Sequence, residues 1–323
     1  MHHLKSGELE GLVERLLAGN NRALARLISR VERDGADVPD LMKRIYPSLG
    51  HAYCVGITGP PGAGKSTVAD KLTAHARQLG KTVGIIAVDP TSPFSGGAVL
   101  GDRIRMQQHY LDNGVFIRSM ATRGSHGGLS HTVKGALKLL DASGKDLILI
   151  ETVGVGQTEL DIVETADTTV VLLVPEGGDT VQAMKAGIME IADLFVVNKA
   201  DRDGADRMIM DLRALTHMHA DADWEIPVLA TQAHTNTGIA ALYEAIEYHR
   251  QRLDETGLLV ERRREHRHRE LLELLQHRLL ASLQEHLQQD ENLLRLVDQV
   301  QAATVDPYTA AHQILEGKAK PWE

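Results

Sequence analysis

The run Gly59-Pro60-Pro61-Gly62-Ala63-Gly64-Lys65-Ser66-Thr67 carries the most specific chemistry in the chain. It matches G-x-x-x-x-G-K-[ST], in which glycines let backbone N–H groups turn inward around phosphate oxygens at the start of a helix. The apolar stretch ahead of it ("CVGIT") and the helical pattern after it supply the context that such a loop needs. Lys65 is suited to reach the β- and γ-phosphates of a nucleotide, and the Ser66 hydroxyl to bind Mg2+. An ion held this way also takes an acid from the end of another strand. Two acids stand in that place, Glu151 in "DLILIETVGVG" and Asp89 in "GIIAVDP". Gly154 follows Glu151 in an acid-x-x-Gly pattern, and its backbone N–H is suited to sense whether a γ-phosphate is present.

A second cluster reads the base. "LFVVNKAD" puts Asn198, Lys199 and Asp201 just past a buried strand. An aspartate carboxylate accepts two hydrogen bonds, from guanine N1–H and the 2-amino group, and adenine offers neither donor there. The Lys199 stem can cover the base, and Asn198 can tie this loop to the phosphate loop. A site built on such paired bonds discriminates by factors on the order of 10⁴–10⁵. The nucleotide therefore reads as GTP. Gln232 and Ala233, after the strand "IPVLA", fall where a further base-contacting loop belongs, although "TQAHTNTG" is an unusual version of it.

These motifs need elements to hold them. Apolar runs of strand length recur ("YCVGITG", "TVGIIAVDP", "DLILIETVG", "TTVVLLVPE", "LFVVNKAD", "IPVLATQ"), and runs apolar throughout suit strands buried on both faces of a parallel sheet. Helical segments separate them at 65–79, 131–140 and 181–191. The alternation predicts an α/β fold, a P-loop domain with a doubly wound, mostly parallel sheet and ligands at the carboxyl ends of its strands. Before it, Leu9, Leu12, Leu16 and then Leu24, Leu27, Ile28 recur at helical spacing, with breaks at Gly19-Asn20 and Gly35-Ala36-Asp37. After about 255 the chain turns helical again. The arginine-rich "ERRREHRHRE" reads as a solvated helix face, and a stripe from Leu271 to Leu287 must bury against the α/β domain or a second copy. Asp306-Pro307 is read as the stop of the last helix. The expected division is 1–50, a helical segment; 51–255, the P-loop domain; and 256–323, a C-terminal helical arm.

Composition narrows the setting. With 323 residues, 43% of them hydrophobic, the chain can bury a large core. A formal charge of −9 and 3% aromatics argue against nucleic acid or an anionic membrane as partner. The single cysteine, Cys54, lies in an apolar run and reads as a buried strand residue, which fits a reducing compartment. "MHHLKSGELEGLVERLL" lacks the apolar core of a signal peptide and no run approaches a membrane span, so a cytoplasmic protein is expected.

Four stretches carry a resemblance: "DPTSPFSGGAVLGDRIRM" (89–106), "ATRGSHGGL" (121–129), "ETVGVGQTELD" (151–161) and "GGDTVQAMKAGIMEIADLFVVNKAD" (177–201). In this order the chain resembles the MeaB/ArgK family of P-loop GTPases. The resemblance implies a GTPase that acts as chaperone for an adenosylcobalamin-dependent acyl-CoA mutase, gating cofactor loading and removal of damaged cofactor, with no cobalamin bound by this chain itself. It implies that Asp89, Asp102 and Glu151 join Ser66 around Mg2+, and that 89–106 and 151–161 are switches. It implies a third switch at 177–185, with Lys185 placed to aid hydrolysis, and a homodimer formed through the C-terminal helices. The residue that positions the attacking water stays open; Gln157 lies in the right stretch.

Two other readings share the P-loop. A nickel-delivery metallochaperone would carry Cys/His clusters, whereas the histidine pairs here (217/219, 266/268) are spaced two apart and do not share a helix face. A small-molecule kinase would need an acceptor pocket with a base, and would have little use for the guanine-reading motif.

Overall fold

The computed structural model describes residues 6–90, 106–122, 131–152, 162, 164–175, 188–218 and 224–316; Asp89 and Pro90 are described through their backbone alone. Asp102, Gly154, Gln157 and Lys185 lie outside the described residues, as do 181–187 of the expected helix at 181–191. Its last residues form a 3-10 turn, Ile188–Ile191.

The sheet has seven strands: β1 (Tyr53–Thr58), β2 (Val83–Pro90), β3 (Val115–Thr122), β4 (Leu147–Thr152), β5 (Thr168–Leu173), β6 (Leu194–Asn198) and β7 (Val228–Thr231). Their order is β3-β2-β4-β1-β5-β6-β7, and every neighbouring pair is parallel. Side-chain parity explains the unbroken apolar runs. Val83 and Ile85 enter one core with Leu147, Leu149, Val170 and Leu172. Ile86 and Val88 enter another with Ile148 and Ile150. Alternate residues of one strand thus face opposite layers, and both layers are covered. β3 is the strand that the apolar runs do not announce. Its edge position leaves Arg118 free of a buried face, and that guanidinium pairs with Glu32.

Helices α1 (Ser6–Leu17), α2 (Asn21–Val31) and α3 (Val38–Ile45) cover one face together with α5 (His131–Ala142). Asn20 caps α2 by accepting from the Arg22 and Ala23 N–H groups. α2 and α5 meet where Gly135 faces Val31; a Cβ there would stand 2.7 Å from Val31 Cγ1. The other face carries α4 (Lys65–Gln78) and α7 (Ile239–Thr256), while α6 (Ala205–Met218) covers β5 to β7. Cys54 lies on β1 as expected but is only partly buried; burial and the neighbouring Asp167 push its thiol well above the ordinary range.

The chain divides into two compact units, 1–263 and 264–323. The N-terminal helices belong to the first unit through their shared core, and the division falls later than the expected 255/256. The reason is the start of helix α8 (Leu258–Gln289). Arg262 forks onto Asp193 with two 3.0 Å bonds and donates to the Asp167 carbonyl at 2.6 Å. Arg263 forks onto Asp167 at 2.8 and 2.7 Å and reaches the carbonyls of Gly50 and Ala52. These two arginines are therefore structural, not the solvated face that the charge run suggests. In the second unit Leu271, Leu272, Leu275, Leu279 and Leu280 are exposed. Helix α9 (Glu291–Gln301) is followed by α10 (Pro307–Glu316). Asp306-Pro307 thus starts a helix: Asp306 accepts from the Tyr308 and Thr309 N–H groups, and proline suits the first helical position. Among the described residues no helix is long and apolar enough to cross a membrane.

Beside this clamp the buried His249 takes part in a bond of 2.8 Å with Thr168 Oγ1, which meets the Tyr53 hydroxyl at 2.5 Å. Burial lowers the His249 pKa, Arg262 lowers it further, and Asp193 opposes both. Replacing Asp193 by Ala leaves Arg262 and the Thr169 N–H without their carboxylate. It is expected to cost roughly 2–4 kcal/mol in urea unfolding of the full chain, the partial exposure of Arg262 moderating the loss. An unfolded chain protonates His249 near pH 6.5 and the folded one only lower. Stability should therefore fall as pH drops below about 6.5, and His249→Gln should remove that component from the pH profile.

Candidate functional site

β1 delivers the phosphate loop, and its glycines answer to geometry. Gly59 (φ 135°) lies where a Cβ would be 2.1 Å from the Leu172 carbonyl oxygen. Gly64 (φ 90°) lies where a Cβ would be 2.5 Å from Asn198 Nδ2. Only glycine fits both the left-handed backbone and these approaches. Gly64 then starts α4, so the first N–H groups of that helix face the loop. Lys65 is buried, and its ammonium donates to the Gly59 and Pro60 carbonyls at 2.6 and 3.0 Å. The cation is thus folded over the concavity that it would share with a phosphate.

β4 lies beside β1, with Glu151 opposite Ile57 on one side and Ala87 of β2 on the other. The register brings the Glu151 carboxylate to the head of α4, where it accepts from the Ser66 hydroxyl at 2.5 Å. Both side chains are buried. Two hard oxygen donors on adjacent elements fit a magnesium ion, which takes oxygen ligands and keeps several waters. Next to them Thr152 Oγ1 bonds Thr58 Oγ1 at 3.2 Å, a buried hydroxyl pair that tightens the β1–β4 ends. Nothing in the local sequence distinguishes these threonines from other strand residues.

The base loop is joined to the phosphate loop by one side chain. Asn198 Nδ2 donates to the Ala63 carbonyl at 2.8 Å, and Asn198 Oδ1 accepts from Thr231 Oγ1 at 3.0 Å and from the Ala233 N–H at 3.2 Å. Ends of β6 and β7 are so fastened to the loop after β1. Lys199 takes a left-handed φ of 56°, which turns the chain, and Asp201 is exposed on that turn. The Gln232 loop closes on itself through Gln232 N–H to the Thr237 carbonyl at 3.0 Å and the reverse bond at 3.2 Å. Gly238 (φ 78°) allows the closure, since a Cβ there would be 2.3 Å from the Ala230 carbonyl oxygen. The unusual spelling "TQAHTNTG" is thus a compact turn that sets Ala233 against Asn198.

Of the residues singled out from sequence, the structure gathers Gly59 to Thr67, Glu151, Asn198, Lys199, Asp201, Gln232 and Ala233 at the carboxyl ends of the strands. Asp89 reaches the same edge through its backbone, where β2 pairs with β3.

Similarity to known proteins agrees with this geometry. Residues 24–288 match the family described as "Methylmalonyl Co-A mutase-associated GTPase MeaB". The chain belongs to the MeaB family. It is a GTPase by that membership, with the fold of its relatives. A candidate GTPase of Pyrococcus abyssi is 49% identical over 312 residues, covering 95% of this chain and 96% of that one. The Escherichia coli GTPase ArgK is 32% identical over 321 residues, covering 94% and 95%. Among solved structures, one described as LAO/AO transport system kinase superposes with a TM-score of 0.71 at 27% identity, covering 98% and 99%.

Gly64→Ala forces a Cβ into both a left-handed backbone and the Asn198 amide. Fluorescent-GDP titration should show binding weakened by at least about tenfold, on a penalty of 1–2 kcal/mol for the backbone alone.

Proposed function

We propose that this MeaB-family GTPase is a GTP-hydrolysing chaperone for an adenosylcobalamin-dependent acyl-CoA mutase, gating the loading of its cofactor and removal of damaged cofactor. The observation that carries the partner assignment is the match of 24–288 to a mutase-associated GTPase family. The nucleotide assignment is supported by Asn198 joining the phosphate loop to the turn that bears Lys199 and Asp201.

In this reading the backbone N–H groups of 59–67 cradle the phosphates. Lys65 exchanges its two carbonyl partners for phosphate oxygens, where its charge offsets the charge spread over the transferring group. Ser66 and Glu151 hold Mg2+, helped by Asp89 and Asp102; the ion supplies charge neutralisation at the β- and γ-phosphates. Asp201 accepts from the guanine edge, Lys199 covers the base and Gln232 with Ala233 closes its rim. Gly154 senses the γ-phosphate. Lys185 and Gln157 take part in hydrolysis, which the partner completes. The exposed leucines of α8 support a homodimer through the C-terminal helices, since a second copy would cover them. A cytoplasmic setting suits the single cysteine.

Asp201→Asn should weaken GTP binding on the order of 10²-fold or more without creating affinity for ATP, measured by competition with fluorescent GDP. The chaperone role is tested by retaining proteins from native extract on the full chain loaded with a non-hydrolysable GTP analogue. An acyl-CoA mutase subunit identified by mass spectrometry is the expected result. Nickel-enzyme subunits, or no mutase although one is present in the extract, would contradict it. A phosphorylated small-molecule product from GTP would favour the kinase reading to which the LAO/AO description points.

A further inference from the structure

Helix α4 carries more than the phosphate loop. Residues 106–114 run alongside it and are fastened to it at three points. Met106, 1% exposed, shares an apolar core with Val68, Ala69 and Leu72. At the far end Arg77 forks onto Asp112 at 2.7 and 3.0 Å, and Gly114 leaves room for that guanidinium. Between them Asp70 grips the strap. One of its carboxylate oxygens accepts from Gln108 Nε2 at 2.6 Å; the other lies at ion-pair distance, 3.2 Å, from His109 Nε2, which is hydrogen-bonded with the Asp70 backbone carbonyl at 3.3 Å. Asp70 and His109 are both buried, 7% exposed each. The Asp70 carboxylate and carbonyl beside it raise the His109 pKa. Burial raises that of Asp70, but the bonds from His109 and Gln108 outweigh it and leave it lowered.

The position of this pair is what gives it meaning. Asp70 follows Ser66 by four residues, so the two side chains share a face of α4, one turn apart. Arg77–Asp112 and Met106 fasten the two ends of the strap to the helix. The buried pair adds a third fastening between these two, one turn of α4 beyond Ser66. The strap is also the continuation of the stretch bearing Asp102. Asp102 precedes Met106 by four positions, a reach of at most roughly 14 Å in extended chain.

We propose that Asp70 and His109 are positioning residues for GTP hydrolysis, fixing the strap after residue 105 against the phosphate-loop helix so that the metal-bound nucleotide is held tightly. The inference rests on the proposed Mg2+·GTP site and deepens it by naming a pair that touches neither ion nor nucleotide.

The test uses the full chain and a fluorescent non-hydrolysable GTP analogue, titrated with Mg2+ and again in EDTA. The wild-type chain should bind more tightly with Mg2+. Asp70→Asn keeps the shape and removes the charge. It should shrink that gain about 3- to 10-fold, with affinity in EDTA unchanged within about twofold and a matching fall in kcat at limiting Mg2+. Asp70→Glu should restore part of the gain. His109→Gln provides the same comparison if Asp70→Asn does not fold. A folded variant whose Mg2+ gain equals that of the wild type overturns the inference and leaves the GTPase reading intact. A pair that is merely structural gives this result, with only the melting temperature lowered. A wild-type chain that shows no Mg2+ gain overturns the metal-site reading and the inference with it.

Discussion

The buried Asn198 side chain is the constraint on which the site depends. Standing at the end of β6, it satisfies its amide on the Ala63 carbonyl of the loop after β1 and on the Thr231 hydroxyl and Ala233 N–H at the end of β7. A buried amide of this kind stabilises only when all its partners are present, and its loss leaves the Ala63 carbonyl and the Ala233 N–H without a partner. Because β5 lies between β1 and β6, no ladder hydrogen bond links the phosphate loop to the base loop directly. Asn198 supplies that link, and the absence of a Cβ at Gly64 gives it room. The loop after β1 and the turns after β6 and β7 are thereby tied together through one side chain.

The opposite ends of these strands carry a different kind of glue. Asp167 and Asp193 stand at the starts of β5 and β6 and take the Arg262 and Arg263 guanidinium groups. Forked arginines tolerate partial burial better than lysines, because the planar group meets both carboxylate oxygens at once. Stability and chemistry are thus separated along the strands: ion pairs at the amino ends, polar loops and phosphate chemistry at the carboxyl ends. Helix α4 joins the two regimes, with Lys65 and Ser66 at its head, Asp70 one turn on, and Arg77 at its tail.

Much of this is legible in the sequence because the residues concerned have narrow roles. Gly59, Gly64 and Lys65 are spaced by phosphate geometry, and the six apolar runs by two-sided burial. What escapes the sequence depends on the company that a residue keeps in three dimensions. β3 is hidden by Arg118, a charge allowed by an edge where Glu32 can pair with it. Arg262 and Arg263 look like solvated charge until Asp167 and Asp193, distant in sequence, arrive beside them. Asp306-Pro307 is ambiguous, since the same pair suits a stop or a capped start. The Asp70–His109 pair spans 39 positions and has no motif to announce it.

The measurement that bears most directly on the account is single-turnover GTP hydrolysis by the full chain, alone and with a purified adenosylcobalamin-dependent acyl-CoA mutase. Slow turnover alone, accelerated on the order of 10²-fold when the mutase is bound, is the predicted result, the size expected of one added transition-state contact. Rapid turnover by the isolated chain, or an unchanged rate in a complex shown to have formed, would contradict it.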